Sequence, residues 1–118
     1  RRRVARAYDE SLSLPPHLRA TEPPSSRHTY HVYAVRVPQR DLAIASLTEA
    51  GIEYGIHYPV PVHLQPAYRE LGTGVGSLPV TEQLATEFLS LPIHSGLSDG
   101  DINKITKALD LRCAGASD

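Results

Sequence analysis

The chain has 118 residues, with 12 Lys and Arg against 13 Asp and Glu, so its formal net charge at pH 7 is −1. This length predicts one domain, and the near-neutral charge argues against a nucleic-acid-binding protein, which usually carries a basic face. A single cysteine, Cys113, excludes a disulfide framework within the chain and a thiolate metal cluster. Neither a membrane-spanning apolar run nor a signal-peptide pattern is visible, so we expect a cytoplasmic protein without a membrane partner.

The first 27 residues divide into a helix and a proline-rich connection. Residues 1–12 are predicted to form an amphipathic helix, because Val4, Tyr8 and Leu12 recur at helical spacing. The helix opens on three arginines without a capping residue, where the helix dipole disfavours cations. This start indicates a helix whose first turns lie outside the chain; a frayed basic terminus is the alternative. Two Pro-Pro pairs in residues 13–27 predict an extended surface connection.

The next segment predicts a strand, a helix and a second strand. Residues 28–37 are rich in Tyr, Val, Thr and His, with bulky side chains on both faces, which is typical of a strand buried on both sides. Residues 39–50 predict a helix, and Gly51 fits the C′ position that ends it. Residues 52–56 read as a second short strand. The order favours a split unit of an α+β domain.

Two further helices are predicted in the C-terminal part. The first covers residues 79–91, with an apolar stripe of four side chains: Val80, Leu84, Phe88 and Leu91. The last helix begins at Ser98, which can form a capping box with Asp101. Residues 113–118 are predicted to be a disordered tail. The predicted fold class is therefore α+β, with a small mixed or antiparallel sheet covered by helices.

Residues 57–68 form the least ordinary segment of the sequence. Three prolines stiffen its backbone, and polar-tipped side chains stand among them, including His57, Tyr58, His63 and Gln65. An imidazole and a phenol on a rigid loop can both donate hydrogen bonds to phosphate oxygens. The alternative is that these side chains only attach the loop to the sheet. Metal binding is disfavoured because no carboxylate accompanies the two histidines within this segment.

Other candidate motifs are weak. Residues 71–79 are glycine-rich but lack the lysine and the glycine spacing of a phosphate-binding loop, so they predict a surface turn. His28 and His31 would point to opposite faces of a strand, which disfavours a shared metal. Only two lysines occur, Lys104 and Lys107, and both lie on the predicted exposed side of the last helix.

One long motif resembles a known family. Residues 51–72, GIEYGIHYPVPVHLQPAYRELG, resemble the C-terminal region of the DegT/DnrJ/EryC1/StrS sugar aminotransferases. The segments RRRVARAYDESL, HTYHVYAVRV and PVTEQLATEFLSLPIH are similar to further parts of the same region. The resemblance extends from Arg1 to about Leu111 and covers only about the last third of the family pattern. It implies a helix at 1–12, a connection at 13–27 and an aminotransferase-like small domain at 28–112.

The family consists of pyridoxal-phosphate enzymes that aminate keto sugars carried on nucleoside diphosphates. The resemblance implies pyridoxal phosphate in the complete enzyme but no covalent attachment to this segment. The large domain that carries the Schiff-base lysine lies outside the resemblance, and Lys104 and Lys107 do not match the family's lysine motif. The segment alone is therefore expected to be inactive as an aminotransferase.

The resemblance also suggests site residues and partners. In several members the His-Tyr pair of the motif approaches the diphosphate of the sugar nucleotide, which here falls on His57 and Tyr58; His63 and Gln65 match further motif positions. The implied partners are a nucleotide-diphosphate sugar, the large aminotransferase domain, or a second copy of the chain in a homo-oligomer. The alternatives are a stand-alone, non-catalytic module that binds a nucleotide sugar or a protein, and a non-functional remnant that still folds.

Overall fold

The computed structural model of the protein describes residues 1–113. In chain order its helices and strands are α1 (Arg2–Ser11), β1 (Tyr33–Arg36), α2 (Arg40–Glu49), α3 (Pro79–Glu87), β2 (Phe88–Leu91) and α4 (Asp99–Cys113). Short 3₁₀ helices occupy Pro16–Leu18, Val62–Leu64 and Pro66–Leu71. None of the helices in the described range is long and apolar enough to cross a membrane.

The sheet consists of β1 and β2, which pair antiparallel. Tyr33 lies opposite Leu91 at one end of the register. Single bridges extend the sheet on both sides, from Arg19 to β1 and from Gly55 to Ser90 of β2. This architecture confirms the predicted α+β class with a small antiparallel sheet.

The first predicted strand is much shorter than expected. Residues 28–37 were predicted to be extended throughout, but β1 begins only at Tyr33. The backbone turns at Tyr30, whose φ is +50° and whose N–H donates a hydrogen bond to His28 Nδ1 at 2.7 Å. Burial alternates along β1, with Tyr33 and Val35 inaccessible and their neighbours half-buried. The strand is therefore fully buried on one face rather than on both.

Two other element predictions are wrong. Residues 52–56 form no strand, because only Gly55 pairs with the sheet. The helix predicted over 79–91 ends at Glu87, and the following four residues become β2. Tertiary pairing explains the change: β1 needs a partner strand, and Leu89 and Leu91 are buried when they supply it. The predicted stripe fails at its first position, since Val80 is 70% exposed.

Two predicted helix boundaries, the end of α2 and the start of α4, are confirmed. Gly51 follows α2 with φ +68°, and the N–H of Ile52 donates to Leu47 O at 2.8 Å, as in a Schellman motif. At the start of α4, the Asp101 N–H donates to Ser98 Oγ at 3.1 Å, and Asp101 Oδ2 accepts from the Ser98 N–H at 2.9 Å. The Schellman motif ends α2, and the capping box starts α4.

The hydrophobic core joins α1, α2 and α4 to the sheet. Its buried side chains include Val4, Ala5 and Tyr8 of α1, Val35 of β1, Ala43 and Leu47 of α2, Leu89 of β2, and Ile102, Ile105 and Leu109 of α4. The Tyr8 hydroxyl also donates to Pro92 O at 2.7 Å. The predicted N-terminal helix therefore packs into the common core. Of the predicted tail at 113–118, Cys113 ends α4, and the remaining residues lie outside the described range.

Candidate functional site

The proline-rich loop presents His57 and Tyr58 to solvent. The chain leaves α2 at Gly51 and continues into this loop. The prolines of the loop prevent a regular helix or strand until the short 3₁₀ helix at Val62–Leu64. Tyr58 is 73% exposed and His57 is also exposed. The two rings meet edge to face, with their centroids 5.7 Å apart. Two hydrogen-bond donors thus lie side by side on an accessible surface.

The His57 ring rests against the sheet. Its Nδ1 lies 3.0 Å from the hydroxyl of Ser90, a buried residue of β2. Gly55 lies directly beneath the ring, because a Cβ placed there would come within 2.4 Å of His57 Cε1. Among the described side chains and backbone groups, Nε2 has no hydrogen-bond partner, so it is the ring nitrogen left for a ligand.

His57 also lines a cavity with a volume of about 530 Å³. Its charged or titratable lining residues are His31, Glu53, Tyr54, His57, His94, Asp101 and Lys104. Hydrogen bonds from Ser98 hold the pKa of Asp101 below its ordinary value, with smaller contributions from the nearby charges of His94 and Lys104. The cavity therefore combines imidazoles and one ammonium group with two carboxylates, and Tyr58, His63 and Gln65 lie outside its lining.

His63 is engaged elsewhere. Its side chain is only 8% exposed, and its Nε2 lies 3.0 Å from Glu82 Oε1 of α3. Glu82 also accepts hydrogen bonds from the N–H groups of Gly76, at 2.9 Å, and Leu78, at 3.2 Å. The Gly76 bond, followed by the His63 bond, lowers the pKa of this carboxyl. This geometry makes His63 a connection between the loop and α3.

Gln65 contributes to the loop through its backbone. It separates the two 3₁₀ helices that follow the prolines, and its side chain is half-buried. Its carbonyl accepts a hydrogen bond from the Tyr68 N–H at 3.0 Å. The structure thus brings His57 and Tyr58 together and directs His63 to α3. The substrate-binding role predicted for all four residues stays a prediction.

The described residues do not fit covalent attachment of pyridoxal phosphate. A lysine that forms a Schiff base needs a desolvated pocket or a neighbouring cation to lower its pKa. Lys104 and Lys107 are both exposed on α4, as the sequence predicted. In residues 1–113, moreover, no group of three or more His, Cys, Asp and Glu side chains could hold a metal ion.

Sequence reasoning missed Ser90 and Gly55. Ser90 was assigned to a helix, so its contact with the loop could not be foreseen. The signal that could have revealed it is the alternation Phe88-Leu89-Ser90-Leu91, where one polar residue stands between two apolar ones, as in a strand. Gly55 stands two residues before His57, and a glycine at that spacing is consistent with close approach of a ring.

Comparison with known proteins places this geometry in context. The sequence profile of the DegT/DnrJ/EryC1/StrS aminotransferase family matches residues 1–110. The erythromycin biosynthesis sensory transduction protein EryC1 of Saccharopolyspora erythraea is 44% identical over 96 residues, which are 80% of this chain and 26% of that protein. The dTDP-3-amino-3,4,6-trideoxy-alpha-D-glucose transaminase of Micromonospora megalomicea subsp. nigra is 37% identical over 92% of this chain and 30% of its own length.

Solved structures agree with the sequence comparison. The crystal structure of S. venezuelae DesV superposes with a TM-score of 0.84 at 32% identity, over 95% of this chain and 30% of that one. An aminotransferase of the same family from Brucella abortus superposes with a TM-score of 0.81 at 34% identity. The chain thus spans about 30% of the length of the solved relatives it matches.

Proposed function

The chain belongs to the DegT/DnrJ/EryC1/StrS aminotransferase family, and on that premise we propose that it is the C-terminal region of a nucleotide-sugar aminotransferase. The complete enzyme transfers an amino group to a keto sugar carried on a nucleoside diphosphate. Relatives named as transaminases or aminotransferases of dTDP-linked and UDP-linked sugars support this substrate class. Because the chain covers only about 30% of such relatives, the amino transfer itself requires residues beyond those in this chain.

The exposed His57–Tyr58 pair carries the proposal. An imidazole N–H and a phenol O–H on one proline-stiffened loop donate to phosphate oxygens with little loss of backbone entropy on binding. The role of this region is to hold the diphosphate of the substrate, while the rest of the enzyme performs the chemistry. Pyridoxal phosphate, when bound to the rest of the enzyme, supplies the electron sink for amino transfer.

A titration of wild type and two variants tests the diphosphate site. Binding of dTDP-glucose and UDP-glucose to the 118-residue chain is measured by calorimetry, with His57→Ala and Tyr58→Phe as variants. We expect His57→Ala to weaken binding about tenfold or more, as the loss of a charge-assisted hydrogen bond does. Tyr58→Phe removes only the hydroxyl, so about three- to tenfold weaker binding is expected.

Matched controls separate the site from general effects of the substitutions. His17→Ala removes another exposed histidine, and Tyr68→Phe removes the hydroxyl of another exposed tyrosine of the same loop. Both controls are expected to bind like wild type. Binding that is unchanged in His57→Ala and Tyr58→Phe would refute the assignment of the diphosphate to this pair.

We also propose that the large aminotransferase domain covers an apolar surface of this chain, which in isolation is covered by a second copy. Among the residues whose burial the structure describes, ten large hydrophobic side chains are exposed, and eight of them fall within residues 58–80: Tyr58, Val60, Val62, Tyr68, Leu71, Val75, Leu78 and Val80. Clustered exposed apolar side chains mark interaction sites on soluble proteins, and these eight lie close together along the chain. The solved relative extends well beyond the 30% that this chain covers. We propose that the domain formed by that additional length covers these side chains.

A further inference from the structure

Two residues next to His57 determine how its ring is presented. Ser90 is 6% exposed, and its backbone is already fully used: its N–H donates to Gly55 O at 2.8 Å, and its carbonyl accepts from the Gly55 N–H at 3.0 Å. The hydroxyl is left to interact with the loop, and it lies 3.0 Å from His57 Nδ1. Nothing in the proposed diphosphate contact accounts for a buried hydroxyl at this place.

The direction of that hydrogen bond follows from the surroundings. Within residues 1–113, the Ser90 hydroxyl has no acceptor other than His57 Nδ1. Because a buried O–H group is rarely left without an acceptor, the hydroxyl donates to the unprotonated Nδ1. The neutral ring must then carry its hydrogen on Nε2. When the ring is protonated, the same hydroxyl accepts from Nδ1–H, and Nε2 still carries a hydrogen.

Gly55 provides the space for this arrangement. A Cβ at Gly55 would lie 2.4 Å from His57 Cε1, closer than real Cβ atoms come to other heavy atoms, and 3.0 Å from Nδ1. Any other residue at position 55 would push the ring away from the sheet and from Ser90. The glycine is needed here for close approach, not for an unusual backbone conformation.

We propose that Ser90 and Gly55 are positioning residues for His57, which hold its ring so that Nε2–H is always the group offered to a phosphate oxygen. The inference rests on the proposed function for the identity of the ligand. The orientation and tautomer of the ring belong to the chain itself. A hydroxyl partner suits an anion site because it leaves the outward nitrogen a donor in both protonation states, whereas a carbonyl partner would leave the neutral ring with an acceptor there.

The first test reads the ring directly, without a ligand. Long-range ¹H–¹⁵N NMR spectra of the 118-residue chain distinguish the two neutral tautomers of His57. We expect the neutral ring to be almost entirely Nε2–H, with nuclear Overhauser contacts between Hε1 and the Gly55 Hα protons. Ser90→Thr, which retains the hydroxyl, should keep both signatures, whereas Ser90→Ala and Gly55→Ala should weaken the contacts and mix the tautomers.

Gly74→Ala is the matched control for Gly55→Ala, because a Cβ at Gly74 meets no atom within 4 Å. It should leave the ring signals unchanged. Circular dichroism checks that all variants remain folded. If Ser90→Ala does not fold, the tautomer of the wild-type ring and the retained signatures of Ser90→Thr still test the inference. A neutral wild-type ring that carries its hydrogen on Nδ1 would overturn the inference.

The second test joins the ring to the ligand by a double-mutant cycle with inorganic pyrophosphate and dTDP-glucose. Ser90→Ala should weaken binding about three- to tenfold, and should weaken it no further when His57 is already Ala. Equal losses with and without His57 would show a general structural role and contradict the inference. If His57→Ala alone changes nothing, the proposed diphosphate site fails, and the ring spectra alone then decide whether Ser90 and Gly55 position His57.

Discussion

Single side chains on this chain take their roles from the hydrogen bonds that surround them. His57 and His63 stand six residues apart in one loop, yet the hydroxyl of Ser90 holds the first at the surface, while the carboxylate of Glu82 draws the second inward. Their shared residue type says nothing of this difference. The partner that each ring finds in the folded chain decides which of them can meet a ligand.

The capping box formed by Ser98 and Asp101 should stabilise α4. Ser98→Ala removes the oxygen that accepts from the Asp101 N–H, so we expect the free energy of unfolding to fall by about 1 kcal/mol. Urea unfolding monitored by circular dichroism measures this loss. No change in the unfolding midpoint would contradict the assignment of Ser98 as the cap.

Asp101, which accepts hydrogen bonds from Ser98, should make the stability of the fold depend on pH. Hydrogen bonds from Ser98 lower the pKa of Asp101 in the folded chain, so its carboxylate stabilises the fold above the pKa of the unfolded state, about 3.9. This contribution is lost as the pH falls through the folded pKa. The difference in stability between wild type and Asp101→Asn should therefore narrow in acid. Asp99→Asn, which removes a charge from the same turn without this contact, should destabilise the fold less.

At the scale of elements, Glu82 ties three segments of the chain together. Its carboxylate accepts hydrogen bonds from His63 of the proline-rich loop and from the backbone of Gly76 and Leu78 before α3. Arg40 of α2 adds a bond to Ala85 O of α3 at 2.7 Å. These contacts hold a loop that has little buried apolar surface of its own.

Glu82→Gln should loosen that connection. A glutamine amide has one accepting oxygen instead of two, so it cannot satisfy His63 and both backbone donors as the carboxylate does. We expect amide hydrogen exchange at Gly76 and Leu78 to become about tenfold faster, as the loss of one net hydrogen bond allows. Glu70→Gln, a change at an exposed glutamate of the same region, is the control. Unchanged protection of Gly76 would show that Glu82 does not hold the loop.

Local signals predicted the end of α2 and the start of α4 well, and the strands poorly. Gly51 and Ser98 fix boundaries through bonds within a few residues, so the sequence contains the information needed. Residues 88–91 fit both a helical and a strand period, and only the need of β1 for a partner decides between them. The exposure of His57 could be expected from its prolines, but the contact with Ser90 could not, because it depends on that pairing.

At the level of the whole molecule, the core and most of the exposed apolar side chains lie in different parts of the chain. Helices α1, α2 and α4 close around the sheet, whereas residues 58–80 leave eight large hydrophobic side chains exposed. The same stretch includes Tyr58 of the proposed site. A domain that covers this surface, as proposed above, would also meet Tyr58.

The exposed surface predicts self-association of the isolated chain. Sedimentation of the 118-residue chain should show a concentration-dependent rise in mass. Val62→Asp and Val75→Asp should each weaken association about tenfold, since burying a valine contributes about 1.5 kcal/mol. Leu42→Asp alters another exposed apolar residue outside residues 58–80 and should have little effect. A chain that stays monomeric at all concentrations would contradict the prediction.

Locating a bound diphosphate on the chain would test the proposed site directly. Amide and imidazole NMR shifts of the labelled 118-residue chain, titrated with dTDP-glucose, report which residues meet the ligand. We expect the largest changes at Gly55, His57, Tyr58 and Ser90. Changes confined to the arginines of α1, with these four residues unmoved, would place the anion elsewhere and contradict the proposed site.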